Sequence, residues 1–246
     1  MNPSPDSNLP PRYVTVRLPR VRPFVTYVLM GLCIAVFALQ LLSETVLGND
    51  WPLLLGAKVN ELIIDGQLWR LLTPVFLHGS LLHIFFNMYA LYSFGPSLES
   101  SYGHWRFLAL YFLAGFSGNV LSFLFTEAPS VGSSTAIFGL LGAEGVFLFR
   151  NRRLFGAMAR TMLINVAVVA AINLGLGMSP GIDNWGHLGG LLGGSFFAWF
   201  AGPVYQLEDE YLQPRLVDEH TSTHSLAAGL AGFVIFAGLA AMKIFQ

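Results

Sequence analysis

The sequence predicts an all-α polytopic membrane protein, and three observations predict it. Of 246 residues, 54% are hydrophobic and only 11% charged, whereas water-soluble domains carry about 25% charged residues. Seven apolar runs approach the roughly 20 residues that a spanning helix needs, at 24–43, 76–97, 107–126, 134–149, 161–178, 185–205 and 226–245. Threading them alternately from an N-terminus inside places ten arginines inside and leaves Lys58, Arg70 and Lys243 outside, the sense in which cytoplasmic loops hold the excess of basic residues.

The elements follow in order. Residues 1–23 form a Pro-rich polar tail with Arg12, Arg17, Arg20 and Arg22. No small-residue cleavage site follows the first apolar run, so it reads as a signal anchor. The first loop, 44–75, mixes Trp51, Pro52, Trp69, Arg70 and Pro74 with aliphatic residues, which suits a segment in the outer interface, where Trp is enriched. The second, fourth and sixth spans all run from outside to inside. They hold His78, His83, Asn87, Ser134 and His187 in their first turns, with His78 read as interfacial. The fourth and fifth spans are short, which suits a protein-lined water cavity at one end. Residues 206–225 are acidic and read as a cytoplasmic linker, and 226–246 as an appended seventh helix. No internal repeat is visible.

Composition also narrows function. A formal net charge of -1 argues against a nucleic-acid partner, since phosphate binding needs a basic excess. The single cysteine, Cys33, leaves no intrachain disulfide and no Cys-based metal site; it reads as a small core residue.

Glycines indicate where helices meet. Gly186, Gly190 and Gly194 recur every four residues, Gly189 and Gly193 form a parallel row, and Gly139, Gly142 and Gly145 follow at spacing three on the fourth span. Small residues so spaced let transmembrane backbones approach closely. Close approach is what a hydrogen bond between Ser134 and His187 needs.

An intramembrane hydroxyl and imidazole are costly, and polar groups at such depth mark functional sites. A serine becomes nucleophilic when an imidazole within about 3 Å takes its proton. His83 and Asn87, four residues apart, share a helix face and read either as donors to a developing oxyanion or as an interhelical hydrogen bond. Three rival sites fit less well. His78 and His83 are five apart, not the one-face spacing of H-E-x-x-H. Ala136 stands where the soluble hydrolase motif G-x-S-x-G needs its second Gly. A transporter pathway would thread several ionisable residues, and only Glu144 sits deep in a span; it reads as a locally paired structural carboxylate.

These residues resemble the rhomboid intramembrane serine proteases. The resemblance rests on Trp69-Arg70, His78-Gly-Ser-Leu-Leu-His83-Ile-Phe-Phe-Asn87-Met88, Gly95, Glu99 and Gly103, Gly132-x-Ser134, and Gly186-His187-x-x-Gly190-x-x-x-Gly194, over about 24–205. It implies a six-helix catalytic core plus one C-terminal transmembrane helix, and a Ser-His dyad that cuts within or near transmembrane segments of other membrane proteins. Carried over by position, Ser134 is the nucleophile and His187 the base and later acid, with His83, Asn87 and the Ser134 backbone N–H as oxyanion donors. Phe138 stands where the family often has a Tyr packed on the imidazole. Gly132 keeps the preceding loop tight, and Trp69 and Arg70 are structural in the first loop, Arg70 bonding nearby backbone. Gly186 and Gly190 line the helix contact. One position departs: Thr135 replaces the second Gly of the common G-x-S-G, and a β-branched residue there restricts the backbone. Asp183, four residues before His187, does not fit a family that uses no third member.

The expected partners are transmembrane substrates and the bilayer, with lateral entry past the fifth span into a hydrated cavity lined by Ser130 to Thr135. No metal, nucleotide or other cofactor is expected. The layout favours a bacterial cytoplasmic membrane with the site toward the outer face. Other classes consistent with the chain are a non-proteolytic relative that retains membrane clients and, less well, a small-solute transporter.

Overall fold

The computed structural model describes residues 18–210 and 213–246; Arg12 and Arg17 of the tail lie outside them. Seven described helices have 17 residues or more: α1 (Val25–Leu47), α4 (Leu81–Tyr102), α5 (His104–Phe125), α6 (Ser134–Arg150), α8 (Met158–Leu176), α9 (Asn184–Ala201) and α10 (Ser222–Ile244). The first loop is built from short helices α2 (Trp51–Gly56) and α3 (Asn60–Ile64) and two 3-10 turns, Leu68–Leu71 and Thr73–Phe76. A further short helix, α7 (Arg152–Phe155), precedes α8.

The second long helix begins later than hydrophobicity alone indicates. Pro74 closes a 3-10 turn and Ser80, whose side chain accepts from His83 N, starts the helix instead. It then runs past Pro96 to Tyr102 and stops at Gly103, whose φ of 78° suits glycine. The connection between α9 and α10 is folded. Tyr205–Glu210 (β1) and Gln213–Asp218 (β2) form an antiparallel hairpin. Leu207 faces Leu216 and Glu208 faces Arg215, with an ion pair of 2.9 Å. Cross-strand partners of this kind stabilise a sheet and are invisible to a reading based on net acidity.

α5 is the central helix, buried along most of its length, with α6, α9 and α10 packed around it. The two glycine rows of α9 face different neighbours. A Cβ on Gly190 or Gly194 would collide with the α6 backbone at Thr135 and Gly139, while one on Gly189 would come 2.7 Å from Ser117 O of α5. α10 lies against this core, with Phe233 stacked on Phe116 at 5.0 Å. α8 is peripheral; Ala159 is its one fully buried residue.

Among the described residues four helices, α1, α5, α8 and α10, are long and apolar enough to cross a membrane by length and composition. The three outside that group, α4, α6 and α9, carry His83, Asn87, Ser134 and His187. At one end of the bundle lie the N-termini of these three with Lys58, Arg70 and Lys243. At the other, Glu99 accepts hydrogen bonds from Phe24 N, Val25 N, Thr26 N and Thr26 Oγ1 at 2.7–2.9 Å, capping α1 from α4. Arg106 pairs there with Asp218, and His220 O accepts from the same guanidinium.

Candidate active site

Three helix starts converge. Gly132 precedes α6 with φ of 127°, its N–H bonded to Pro74 O at 2.9 Å. Only glycine takes this conformation readily, and a Cβ there would come 2.6 Å from His83 Nε2. Gly132 thus lets the loop pass directly against α4. The loop delivers Ser134 as the first residue of α6. On α9, Asp183 caps the helix by accepting from Gly186 N at 3.0 Å, which sets His187 in the first turn.

Across the glycine contact, His187 Nε2 lies 3.0 Å from Ser134 Oγ. The Phe138 ring stacks on the imidazole, centroids 4.2 Å apart and 14° from parallel. Thr135 is 3% exposed and its bulk is met by glycines: a Cβ on Gly118 would stand 2.6 Å from Thr135 Cβ, and one on Gly186 3.1 Å from Thr135 Cγ2. The side chain absent from both partners makes room for the threonine.

His83 and Asn87 stand on the facing side, where Gly132 meets both. Among the described residues, the side-chain atoms buried here without a hydrogen-bond partner include Asn87 Nδ2, His187 Nδ1, Thr135 Oγ1 and Asp183 Oδ2. The α6 N-cap, Ser133, makes no side-chain capping bond, and the uncapped N–H groups of a helix start favour negative charge. These groups border a cavity of about 810 Å³ lined also by Ser130, Val131, Phe86 and the 177–183 segment.

Asp183 does not reach the imidazole. Its Oδ1 holds Gly186 N and accepts from Thr126 Oγ1 at 3.2 Å. Trp69 and Arg70 stay in the first loop: Trp69 Nε1 donates to Leu55 O, and the buried guanidinium to Leu54 O, Ala57 O and Gln67 Oε1 at 2.7–2.8 Å. His78, read from the sequence as interfacial, is 1% exposed, its Nε2 3.4 Å from Ser133 Oγ and its backbone held by Gln40 of α1. Its ring meets that of His83 edge-on, centroids 5.2 Å apart. Glu144 is part-buried and, among the described residues, has no hydrogen-bond or ionic partner, so it is not a locally paired carboxylate. Among the described residues no three His, Cys, Asp or Glu side chains gather as a metal-binding group.

The Rhomboid domain family matches residues 65–204, more than half of the chain. This chain belongs to the rhomboid family. Among its relatives, rhomboid protease GluP of Bacillus subtilis (strain 168) is 43% identical over 178 residues, covering 72% of this chain and 34% of that protein. RHOMBOID-like protein 5 of Arabidopsis thaliana is 36% identical over 211 residues, 78% of this rhomboid and 68% of its relative. Rhomboid-like protease 1 of Toxoplasma gondii is 40% identical over 148 residues, 56% and 49% of the two. The chain therefore spans about a third of GluP. As a rhomboid with four strongly apolar helices, it is an integral membrane protein.

Proposed function

We propose that this rhomboid is an intramembrane serine endopeptidase that hydrolyses peptide bonds within or next to transmembrane segments. The observation that carries the reading is the 3.0 Å contact between Ser134 Oγ and His187 Nε2. Ser134 Oγ attacks the scissile carbonyl carbon as its proton passes to His187 Nε2. The carbonyl oxygen becomes an oxyanion, held by His83, Asn87 and the Ser134 N–H, groups placed before charge develops. Collapse breaks the C–N bond, the amine takes the proton from His187, and the acyl group remains on Ser134. Water gives a proton to His187 and attacks the ester; collapse releases the carboxylate and returns the proton to Ser134. Phe138 holds the imidazole plane and Gly132 the approach of the loop.

The substrate enters beside α8, the most weakly packed long helix, and unwinds into the cavity, where water and an extended backbone are both available. Residues 24–205 form the catalytic core, 1–23 a cytoplasmic tail, 206–225 a cytoplasmic connection and 226–246 an added span. The N-terminus is cytoplasmic and the site faces outward, in a bacterial cytoplasmic membrane. In liposomes with a single-pass substrate, Ser134→Ala and His187→Ala each abolish cleavage; product from Ser134→Ala protein overturns the mechanism. Clients retained without product identify a non-proteolytic member instead.

A further inference from the structure

The C-terminus of α5 is held by two lysines from distant parts of the chain. Lys243, near the end of α10, donates to Phe123 O at 2.7 Å and Glu127 Oε1 at 3.2 Å. Lys58, from the first loop and fully buried, donates to Thr126 O at 2.7 Å, Ala128 O at 2.9 Å and Asn60 Oδ1 at 3.0 Å. Asn60 Nδ2 in turn donates to Phe123 O, Thr126 O and Glu127 Oε2. Cations at a helix C-terminus satisfy carbonyls that have no intrahelical partner.

Lys58 does more than cap. Its main chain exchanges two hydrogen bonds with Ser130, N to O at 3.0 Å and O from N at 3.1 Å. The side chain therefore holds the start of the 126–133 segment and the backbone holds its middle, two residues before Gly132. Thr126, whose carbonyl Lys58 binds, donates from Oγ1 to Asp183, the cap of the helix that carries His187. One residue thus bears on the approach to both Ser134 and His187.

We propose that Lys58 is a positioning residue for the hydrolysis, setting the 126–133 segment and the α9 start in register so that Ser134 and His187 meet. The proposal rests on the dyad reading above. The ammonium has three donors and three acceptors face it, so every N–H is used. A neutral amine keeps two donors and turns a lone pair toward the third oxygen. Burial lowers the Lys58 pKa to about 8; Asp183, Glu127 and Glu61 raise it and Lys243 lowers it further. The register therefore loosens as pH rises through about 8.

The test uses the full chain in proteoliposomes. Wild-type kcat is expected to fall above about pH 8, while KM changes less. Lys58→Arg, whose charge is permanent, keeps activity and loses that alkaline fall. Lys58→Met lowers kcat about tenfold or more at pH 7 and has no fall attributable to this group. Hydrogen exchange, measured in a Ser134→Ala background, rises at 126–133 and 183–187 when Lys58→Met is added. An alkaline fall unchanged in Lys58→Arg, or unaltered kcat and exchange in Lys58→Met, overturns the proposal. If Arg does not fit, as judged by loss of cooperative unfolding, the Lys58→Met exchange comparison decides. Exchange is independent of turnover, so absence of cleavage by wild type counts against the dyad reading while exchange still decides the role of Lys58.

Discussion

Thr135 turns a local conflict into a packing match. A β-branched residue stands where a second glycine would leave the loop freer, yet its methyl fills the space left by Gly118 and Gly186. Thr135→Gly is expected to lose about 1–2 kcal/mol of stability, from a buried methyl and from glycine's entropy in the first turn of a helix, with cleavage retained; thermal unfolding in detergent and a substrate assay check both halves. Gly132 works in the opposite sense. Gly132→Ala combines a φ of 127° with a Cβ 2.6 Å from His83 Nε2, and should cost about 1–3 kcal/mol of backbone strain and most of the activity, read by reaction of Ser134 with a fluorophosphonate probe. Preserved probe labelling would mean that the loop can withdraw from α4 without disturbing the serine.

At the scale of elements, the proposed dyad depends on how closely α6 and α9 approach. Replacing Gly190 with Ala drives a methyl into the Thr135 carbonyl, and helices that must part by even an ångström lose a 3.0 Å hydrogen bond. Gly190→Ala is therefore expected to lower cleavage at least tenfold even in protein that inserts and folds. Gly175→Ala on α8 is the matched control, because nothing lies within 4 Å of its Cβ position; it should cleave as wild type. Equal activity in the two variants would show that the glycine contact does not set the dyad.

In the whole molecule, the two ends of the bundle do different work. Glu99 of α4 ties down α1, through three backbone N–H groups and Thr26 Oγ1, and the start of α5, through His104, at the end opposite the serine. Glu99→Gln removes charge-assisted bonds worth about 1.5–3 kcal/mol each to a buried acceptor set, so the unfolding midpoint should drop while kcat of the folded fraction stays near wild type. A parallel loss of kcat would show that the ends are coupled. Lys58 gives a second separation. Its folded pKa of about 8 lies below the ordinary 10.5, so the unfolded chain binds that proton more tightly. Stability from this group rises as pH climbs from about 8 toward 10.5, while positioning weakens over the same range. Unfolding midpoints and kcat should therefore diverge in wild type above about pH 8, and the divergence should vanish in Lys58→Arg.

Composition, apolar run lengths and small-residue spacing by themselves determined a helical membrane protein with a long first loop, and singled out Ser134, His187, His83 and Asn87. These are local properties: hydrophobicity sets span length and a missing Cβ permits contact wherever it falls. What covers what was decided only by the tertiary structure. His78 is buried against Gln40 of α1 and Ser133 before α6, both distant in sequence, and Glu144 has no hydrogen-bond or ionic partner among the described residues. Residues 205–210 and 213–218, most of the acidic stretch, pair as a hairpin in which Leu and Arg return opposite Leu and Glu. Lys58 is the clearest case, since its acceptors lie 68 and 70 residues away in sequence. Nothing periodic or local marks such a pairing, because hydrogen-bond partners across a bundle are chosen by where helices end in space.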